Sequence, residues 1–289
     1  MYNWKPNKPQ ESQYKIMKQE FEQHSFLVGS MIYHIHSDSH TEYMKINDAK
    51  IRYAPLKVDV WNNEAGKIFK ENFLDLWIED KNRKAYERVD FFPNVEMCPK
   101  DVFNLFKGFK AEQYKPETPL TDEEIETLVE PIVRHVNYLT KGYAVDMLKW
   151  QSNIIQNPDK KSEIGILIRD EGDFMKEGGG TGKNLYFDDY FAKQIIGEEY
   201  CITVGDNKEL YTNFNSLFEG KLLVFVEEAC SKDNHGNNDV LKSKITSKKS
   251  NINKKMQAQY TVNDYSNYIF TCNNRIIANQ ARKQKILGV

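Results

Sequence analysis

A glycine-rich segment in the second half of the chain has the composition of a loop that binds phosphate groups. It lies between an apolar run, residues 164–168, and a segment with helical patterning, residues 182–196. Backbone N–H groups at the N-terminus of a helix attract anions, and glycines let the backbone turn with positive φ and approach a phosphate closely. A lysine in such a loop adds a mobile positive charge for the outer phosphates of a nucleotide. The residues predicted to bind the nucleotide are Gly178, Gly179, Gly180, Thr181, Gly182, Lys183 and Asn184.

This segment departs from the usual phosphate-loop pattern in three respects. Glu177 occupies the position of the first glycine, and Asn184 replaces the Ser or Thr that would hold Mg²⁺. About eight extra residues, including Asp170, Glu171 and Asp173, separate the predicted strand from the loop. The alternative interpretation is a flexible glycine turn without a ligand. The strand–loop–helix context favours the phosphate loop.

Two carboxylates follow a second apolar run. Residues 222–226 have the composition of a buried strand, and Glu227 and Glu228 come directly after it. Acids at the carboxyl end of a strand lie where α/β sheets place their ligands. One carboxylate can hold Mg²⁺ while the other polarises an attacking water, so we predict that both are catalytic and that Glu227 is the metal ligand. The alternative is a solvated strand end, and the upstream glycine loop favours the catalytic interpretation.

A third polar residue, Asn273, follows the predicted strand formed by residues 268–272. Its amide can donate to a γ-phosphate or to the attacking water without adding charge, and we predict a catalytic role for it. Asn is also a common turn residue, which is the alternative explanation.

The C-terminal part of the chain is strongly basic. Residues 240–289 contain ten Lys or Arg and one acid, a local net charge of +9, whereas the whole chain carries −2 and the remainder therefore −11. Six lysines and no acid lie within residues 240–263, which indicates a surface that contacts nucleic-acid phosphates. A solvated basic loop is the alternative, and Met256 and Tyr260 either stack on bases or belong to the core. The residues predicted to bind DNA are Lys242, Lys244, Lys254 and Lys255.

The chain divides into two regions by composition. Residues 1–112 form an aromatic-rich N-terminal region, residues 113–120 have the proline and charge content of a linker, and residues 121–289 form the second region. The N-terminal region is predicted to be small and α+β. Within it, helical spacing is predicted for Phe69, Phe73 and Trp77.

The second region is predicted to be α/β. Thr121 and Glu124 have the spacing of a capping box at the start of a helix, which Pro131 is expected to kink or split. A second helix is predicted over residues 143–156. Short apolar segments then alternate with helical patterns, which predicts a βαβ series and a mostly parallel sheet. The predicted strands are residues 164–168, 201–204, 222–226 and 268–271.

The overall composition is that of a soluble globular protein. The chain of 289 residues is 40% hydrophobic, 28% charged and 12% aromatic, which excludes disordered, collagen-like and disulfide-stapled classes. Its longest apolar runs have the length of strands, so no membrane association is expected. The first 15 residues have no secretory or transit pattern, and the four cysteines lie far apart, which favours reduced thiols inside a cell.

A histidine cluster in the N-terminal region is the one further candidate for metal binding. His34 and His36 are spaced to share one face of a strand, with Asp38 and His40 nearby. A solvated strand edge is the favoured interpretation, and no metal site is predicted here.

Taken together, the motifs resemble those of the superfamily 3 helicases, and more narrowly the primase–helicase proteins of phages, virophages and large DNA viruses. The ordered GTGKN loop, Glu-Glu strand and terminal Asn are the most specific elements of this resemblance. The remaining matches in the helicase part are residues 213–215, 241–246, 254–255 and 267–274. The region that precedes the helicase is similar at residues 77–80, Arg83, Tyr86, 91–93 and 104–109, and the helical lead into the ATPase is similar at residues 150–151 and 156–158. The resemblance covers the chain from about Phe69 to Asn274.

The resemblance implies an AAA-like P-loop NTPase core that uses ATP and Mg²⁺. Such a protein assembles as a ring, usually a homo-hexamer, and draws single-stranded DNA through a lysine-bearing hairpin to unwind forked DNA beside replication proteins such as a primase. It implies that Lys183 binds the β- and γ-phosphates, that Glu227 and Glu228 serve Mg²⁺ and water, and that Asn273 senses the γ-phosphate. Lys254 or Lys255 would be the pore lysine. The expected location is the cytoplasm or a host-cell replication site, without secretion.

The chain ends 15 residues after Asn274, where the resembled family continues with an arginine finger and closing helices. Arg275 and Arg282 are the candidates for that finger, and we expect a C-terminally truncated copy. The alternative function is a nucleic-acid-binding fragment that lacks ATP turnover. A small-molecule P-loop kinase is disfavoured, because no lid or acceptor-site pattern is visible.

Overall fold

The computed structural model describes residues 9–36, 41–62, 65–169, 181–205, 207–227, 238–254, 258–272 and 286–288. The chain forms two compact units. The first comprises Met1–Phe91 and Glu96–Leu105, and the second comprises Phe92–Val95 and Phe106–Val289. Residues 113–120, predicted as a linker, belong to the second unit. The fold is mixed α/β, as predicted, and it contains two all-parallel sheets.

The first unit combines short strands with three helices. Its elements are α1 (Pro9–His24), β1 (Ser25–Val28), β2 (Met31–Ile35), β3 (Thr41–Lys45), α2 (Ile46–Arg52), β4 (Lys57–Asn62), β5 (Lys67–Asn72), α3 (Phe73–Glu79), β6 (Ala85–Tyr86), β7 (Arg88–Asp90) and β8 (Val102–Asn104). One sheet has the order β3-β2-β1-β6, in which β6 is parallel to β1 and the other pairs are antiparallel. The pair β4–β5 is antiparallel and the pair β7–β8 is parallel.

The aromatic residues of the first unit form its core. Phe73 and Trp77 on α3 are fully buried, and the ring of Phe21 on α1 meets both of them edge-on. The prediction of a helix through Phe69, Phe73 and Trp77 is wrong at Phe69, because that residue lies in β5. The helix begins at Phe73, where the side chain of Asn72 accepts the N–H of Leu74 at 3.0 Å. An Asn at this position ends the strand and caps the helix.

Two helices open the second unit, α4 (Asp122–Leu139) and α5 (Ala144–Gln156). The predicted capping box is confirmed: Thr121 Oγ1 accepts the Glu124 N–H at 3.3 Å, and Glu124 Oε2 accepts the Thr121 N–H at 2.8 Å. The helix α4 runs through Pro131, so the expected split does not occur. The second predicted helix is confirmed, with Tyr143 as its N-cap.

The centre of the second unit is a five-stranded parallel sheet. The five strands of the sheet are β9 (Gly165–Arg169), β10 (Cys201–Val204), β11 (Leu223–Val226), β14 (Asn267–Cys272) and β15 (Ile286–Gly288). Between β11 and β14 the chain forms the helix α6 (Asn238–Thr246) and a separate antiparallel hairpin of β12 (Lys249–Ile252) and β13 (Tyr260–Asn263). The strand order in space is β10-β11-β14-β9-β15. All four predicted strands and the parallel pairing are confirmed, and β15 was not predicted.

The central strands are buried because their side chains are apolar on both faces. All four residues of β11 are buried, as are Ile269 and Phe270 of β14. The helix predicted after the glycine loop is confirmed, although Leu185–Gly197 has π-helical hydrogen bonding; we call this element the loop helix. It packs on the sheet through Phe187, whose ring stacks on that of Phe225. No helix in the described ranges is both long and apolar enough to cross a membrane.

Candidate functional site

The parallel sheet brings the predicted site elements to one edge. The strands β9, β11 and β14 all end at the same side, because parallel strands run in one direction. Glu227 follows β11 at that edge, and its backbone N–H donates to the carbonyl oxygen of Val204 at 2.9 Å. Since β14 lies between β9 and β11, the acid and the glycine loop are separated by one strand.

A side-chain hydrogen bond joins the end of the glycine loop to the acidic strand. Asn184 Nδ2 donates to Glu227 Oε1, although these residues are 43 positions apart in the chain. Asn184 is exposed, and the adjacent Lys183 is half-buried. The sequence analysis placed Asn184 in the nucleotide-binding loop as a departure from the expected Ser or Thr, and its contact with Glu227 was not predicted.

The donor set at this edge is compatible with Mg²⁺. A carboxylate and the carbonyl oxygen of an amide are both ligand types that Mg²⁺ accepts, and Mg²⁺ usually keeps several waters. Glu227 supplies the carboxylate and Asn184 the amide, on a side chain exposed to solvent. These two side chains would be the protein ligands of a divalent cation bound at this edge.

The last glycine of the loop is packed tightly against α4. Gly182 has φ of +85°, and an added Cβ would lie 2.9 Å from both Cε1 and Nε2 of His135. Glycine is therefore required twice, for the backbone conformation and for the space. His135 Nε2 is buried and has no hydrogen-bond partner among the described residues.

The loop helix is fixed to α5 by a buried hydrogen bond. Tyr186 OH donates to Gln151 Oε1 at 2.8 Å, and burial raises the pKa of Tyr186, so this hydroxyl remains a donor. The N–H of Tyr186 donates to the carbonyl oxygen of Gly182 at 3.0 Å. The supporting residues Gln151, Tyr186 and His135 were not among those predicted. No local pattern in the sequence indicates the contacts of these three side chains.

Some of the predicted site residues lie within the described ranges and others lie outside them. Of the predicted site residues that the structure describes, Asn184 and Glu227 are in contact, and Thr181, Gly182 and Lys183 immediately precede Asn184 in the chain. The strand before Asn273, β14, ends at Cys272. The predicted residues that lie outside the described ranges are Gly178, Gly179, Gly180, Glu228, Asn273, Lys255, Arg275 and Arg282.

The lysines of the basic segment have different surroundings. Lys242 on α6 is exposed. The ammonium of Lys244 lies 4.5 Å from the ring centre of Phe218, and burial lowers the pKa of this lysine. Lys254 follows β12 on the hairpin, and its Nζ lies 2.7 Å from Glu219 Oε2.

A buried lysine outside the basic segment anchors the hairpin. Lys161 Nζ donates to Asp264 Oδ2 at 2.9 Å and to the carbonyl oxygens of Lys244 and Ser247. Its side chain is 2% exposed, and burial lowers its pKa against the opposing effect of Asp264. Lys161 therefore ties the C-terminal end of α6 to the turn after β13.

A second anchor lies at the other end of the hairpin. Asn215 Nδ2 donates to the carbonyl oxygen of Asn251 at 2.8 Å, and Asn215 Oδ1 accepts the N–H of Asn253 at 2.9 Å. The paired bonds fix the end of β12 to the turn around residue 215.

The histidine cluster forms no metal site in the described ranges. The expected strand edge is wrong, because β2 is paired on both sides, by β1 and β3. His34 Nδ1 is hydrogen-bonded to Ser25 Oγ at 2.9 Å, and His36 Nε2 lies 3.2 Å from Glu42 Oε2. Asp38 and His40 lie outside the described residues.

A protein-family model matches the part of the chain that contains the candidate site. A family model described as a family of unknown function (DUF5906) matches residues 176–284, which include the glycine loop, Glu227 and the hairpin. No curated protein matches the chain.

Three solved structures of one protein share the fold. The apo structure of the NrS-1 C-terminal region (residues 305–718) has a TM-score of 0.60 and 16% identity, over 93% of this chain and 58% of that one. Two A-form apo structures of the same region have TM-scores of 0.58 and 0.57 and 18% identity, over 90% and 92% of this chain and 56% and 57% of theirs. This chain thus spans less than three fifths of the length of these neighbours, and at this identity the similarity shows the fold alone.

Proposed function

We propose that this chain is an ATP-dependent DNA helicase or translocase of the superfamily 3 type that acts in viral or phage DNA replication. The hydrogen bond between Asn184 and Glu227 carries the proposal, because it joins the glycine loop to the acid that follows β11. The motif resemblance and the fold shared with the NrS-1 C-terminal region support the same assignment.

The proposed nucleotide site is an AAA-like P-loop site. The N-terminus of the loop helix and Lys183 provide positive potential for the β- and γ-phosphates. Glu227 holds a divalent cation, and the Asn184 amide fixes the orientation of its carboxylate. When bound, Mg·ATP supplies the phosphoanhydride bond whose hydrolysis drives movement, and the cation neutralises the developing charge.

The proposed DNA site is the β12–β13 hairpin with α6. Lys254 is on the hairpin between the two strands, where a pore lysine would project in a ring of copies. Lys242 is exposed on α6 and contributes positive potential. The homo-hexameric ring and a primase partner are parts of this proposal, since a ring is how such hairpins enclose a single strand.

The test is ATP hydrolysis by the purified chain, with and without single-stranded DNA. We expect hydrolysis that depends on Mg²⁺ and is stimulated by DNA. Glu227→Gln should lower the rate by about 10²- to 10³-fold while nucleotide binding persists, because the charge that orients the cation is lost. Glu209→Gln, an exposed acid of the same unit, is the matched control and should leave the rate unchanged.

Two results would contradict the proposal. Equal rates in Glu227→Gln and the original chain would remove Glu227 from the reaction. DNA binding without any hydrolysis would instead support a nucleic-acid-binding fragment that lacks turnover.

A further inference from the structure

One carboxylate contacts two side chains of the basic hairpin. Glu219 Oε2 lies 2.7 Å from Lys254 Nζ, and Tyr260 OH donates to the two oxygens of Glu219 at 2.8 and 2.9 Å. The ammonium of Lys254 lies 5.3 Å from the centre of the Tyr260 ring. We call Glu219, Lys254 and Tyr260 the hairpin subsite.

The hairpin subsite is partly exposed to solvent. The side chains of Lys254 and Glu219 are 36% and 29% exposed. Burial lowers the pKa of Lys254, but its hydrogen bonds with Glu219 and Tyr260 and the charge of Glu219 raise that pKa by more. Lys254 therefore remains protonated at neutral pH and keeps the charge that attracts a phosphate.

The position of Glu219 is set independently of Lys254. It follows the short 3₁₀ turn Ser216–Phe218, in which Phe218 is buried, and its N–H donates to the carbonyl oxygen of Ser216. The Asn215 bonds to Asn251 and Asn253 hold this turn against the hairpin. The backbone that carries Glu219 is thus held beside the hairpin without a contribution from Lys254.

We propose that Glu219 occupies the position of a nucleic-acid phosphate, and that a single strand binds the hairpin by displacing it. A phosphate oxygen accepts from the same ammonium and hydroxyl donors as a carboxylate does. The phosphate would then lie on Lys254 and a base against the ring of Tyr260, since aromatic rings stack on bases of any sequence. The inference rests on the proposed function and adds the residue that competes with DNA.

The Lys254–Glu219 ion pair is more exposed to solvent than the Lys161–Asp264 pair. Exposed ion pairs contribute little to stability, because water and salt screen them. The Lys161–Asp264 pair is buried, and a strand cannot displace it without exposing a charge that has lost its partner. Exchange with phosphate is therefore expected at Lys254 and not at Lys161.

The experiment measures binding of a fluorescein-labelled oligothymidylate of about 20 nucleotides to the full chain by anisotropy, over a range of salt concentrations. Glu219→Gln should raise the affinity by about three- to tenfold and steepen the log–log salt slope by about 0.7, the value for one additional phosphate contact on a single strand. Glu209→Gln removes the same charge from an exposed site of the same unit and should change neither quantity appreciably.

A second substitution separates release of Lys254 from a general charge effect. Lys254→Ala should cost more affinity in the Glu219→Gln background than in the original chain, because only there is the lysine released. Tyr260→Phe retains the ring but removes a hydroxyl that donates to Glu219 in the free chain and to the phosphate in the complex, so it should change the affinity less than Glu219→Gln does. Thermal unfolding of each variant verifies that the hairpin remains folded.

The outcomes separate the two proposals. If the original chain binds the oligonucleotide and Glu219→Gln behaves as Glu209→Gln does, the competition is wrong and the DNA-binding function stands. If Glu219→Gln binds the oligonucleotide more tightly but ATP is never hydrolysed, the competition between Glu219 and phosphate stands and the helicase assignment fails. If neither chain binds the oligonucleotide, both are wrong.

Discussion

The sheet edge and the basic hairpin each place a carboxylate against a nitrogen donor, but the two donors differ in charge. At the sheet edge the neutral amide of Asn184 meets Glu227, whereas at the hairpin the ammonium of Lys254 meets Glu219. An amide orients a carboxylate without neutralising it, so Glu227 retains its attraction for a cation. A lysine does neutralise its partner, so the hairpin pair is suited to exchange one anion for another.

The two regions also differ in what holds them in place. The sheet edge is positioned by the parallel strands, whose apolar residues are buried on both faces. The hairpin has only two strands and depends on side-chain anchors from outside, Lys161 at one end and Asn215 at the other. Damage to an anchor should therefore affect the proposed DNA site more than the proposed nucleotide site.

The substitution expected to separate the hairpin from the sheet edge most strongly is Lys161→Met. Removing the lysine leaves Asp264 as a largely buried charge without its cation, which should lower the free energy of unfolding by about 3–5 kcal/mol. Urea-induced unfolding measures this loss. In folded protein, DNA affinity should fall while nucleotide affinity changes less.

A double variant provides the control for Lys161→Met. Adding Asp264→Asn removes the stranded charge and should recover part of the lost stability. If Lys161→Met is no more harmful than Lys248→Ala, whose lysine is 75% exposed, then Lys161 is not an anchor.

A smaller effect, confined to the sheet edge, is expected from Gly182→Ala. The φ of +85° and the 2.9 Å approach to His135 should together cost about 1–3 kcal/mol and weaken nucleotide binding. Urea-induced unfolding and nucleotide titration measure the two quantities, and DNA affinity in the absence of nucleotide should be unchanged.

The additional substitution His135→Ala separates the two causes. It removes the ring that the new Cβ would meet, so Gly182→Ala should be less damaging in the His135→Ala background. The backbone strain remains in both backgrounds, so recovery should be partial. Full recovery of stability would show that backbone strain at residue 182 is not important. No recovery would show that the contact with His135 is not important.

The elements that depend on local patterns could be predicted from the sequence. Residues 164–168 and 222–226 are continuously apolar, and Thr121 and Glu124, three positions apart, form their capping box within one helical turn. Phe69 was misplaced because its spacing from Phe73 fits a helix, whereas the Asn72 cap starts the helix only after it.

The contacts that define both sites depend on long-range pairing. Nothing local predicts that β14 lies between β9 and β11, or that Asn184 reaches Glu227. The charge count marked Lys244 and Lys254 as equivalent surface cations. Their partners, Phe218 and Glu219, come from a turn that precedes β11, and only the folded chain brings that turn to the hairpin.

The central claim is that the loop ending in Lys183 and Asn184 binds a nucleotide beside Glu227. The most direct measurement is the affinity for a fluorescent ATP analogue in the presence of Mg²⁺, compared between the original chain, Lys183→Ala and Lys149→Ala, an exposed lysine on α5. We predict affinity at least about tenfold weaker in Lys183→Ala, and unchanged in Lys149→Ala, because of these two lysines Lys183 alone is proposed to donate to the phosphates. Equal affinity in all three chains, or no binding by any of them, would contradict the claim.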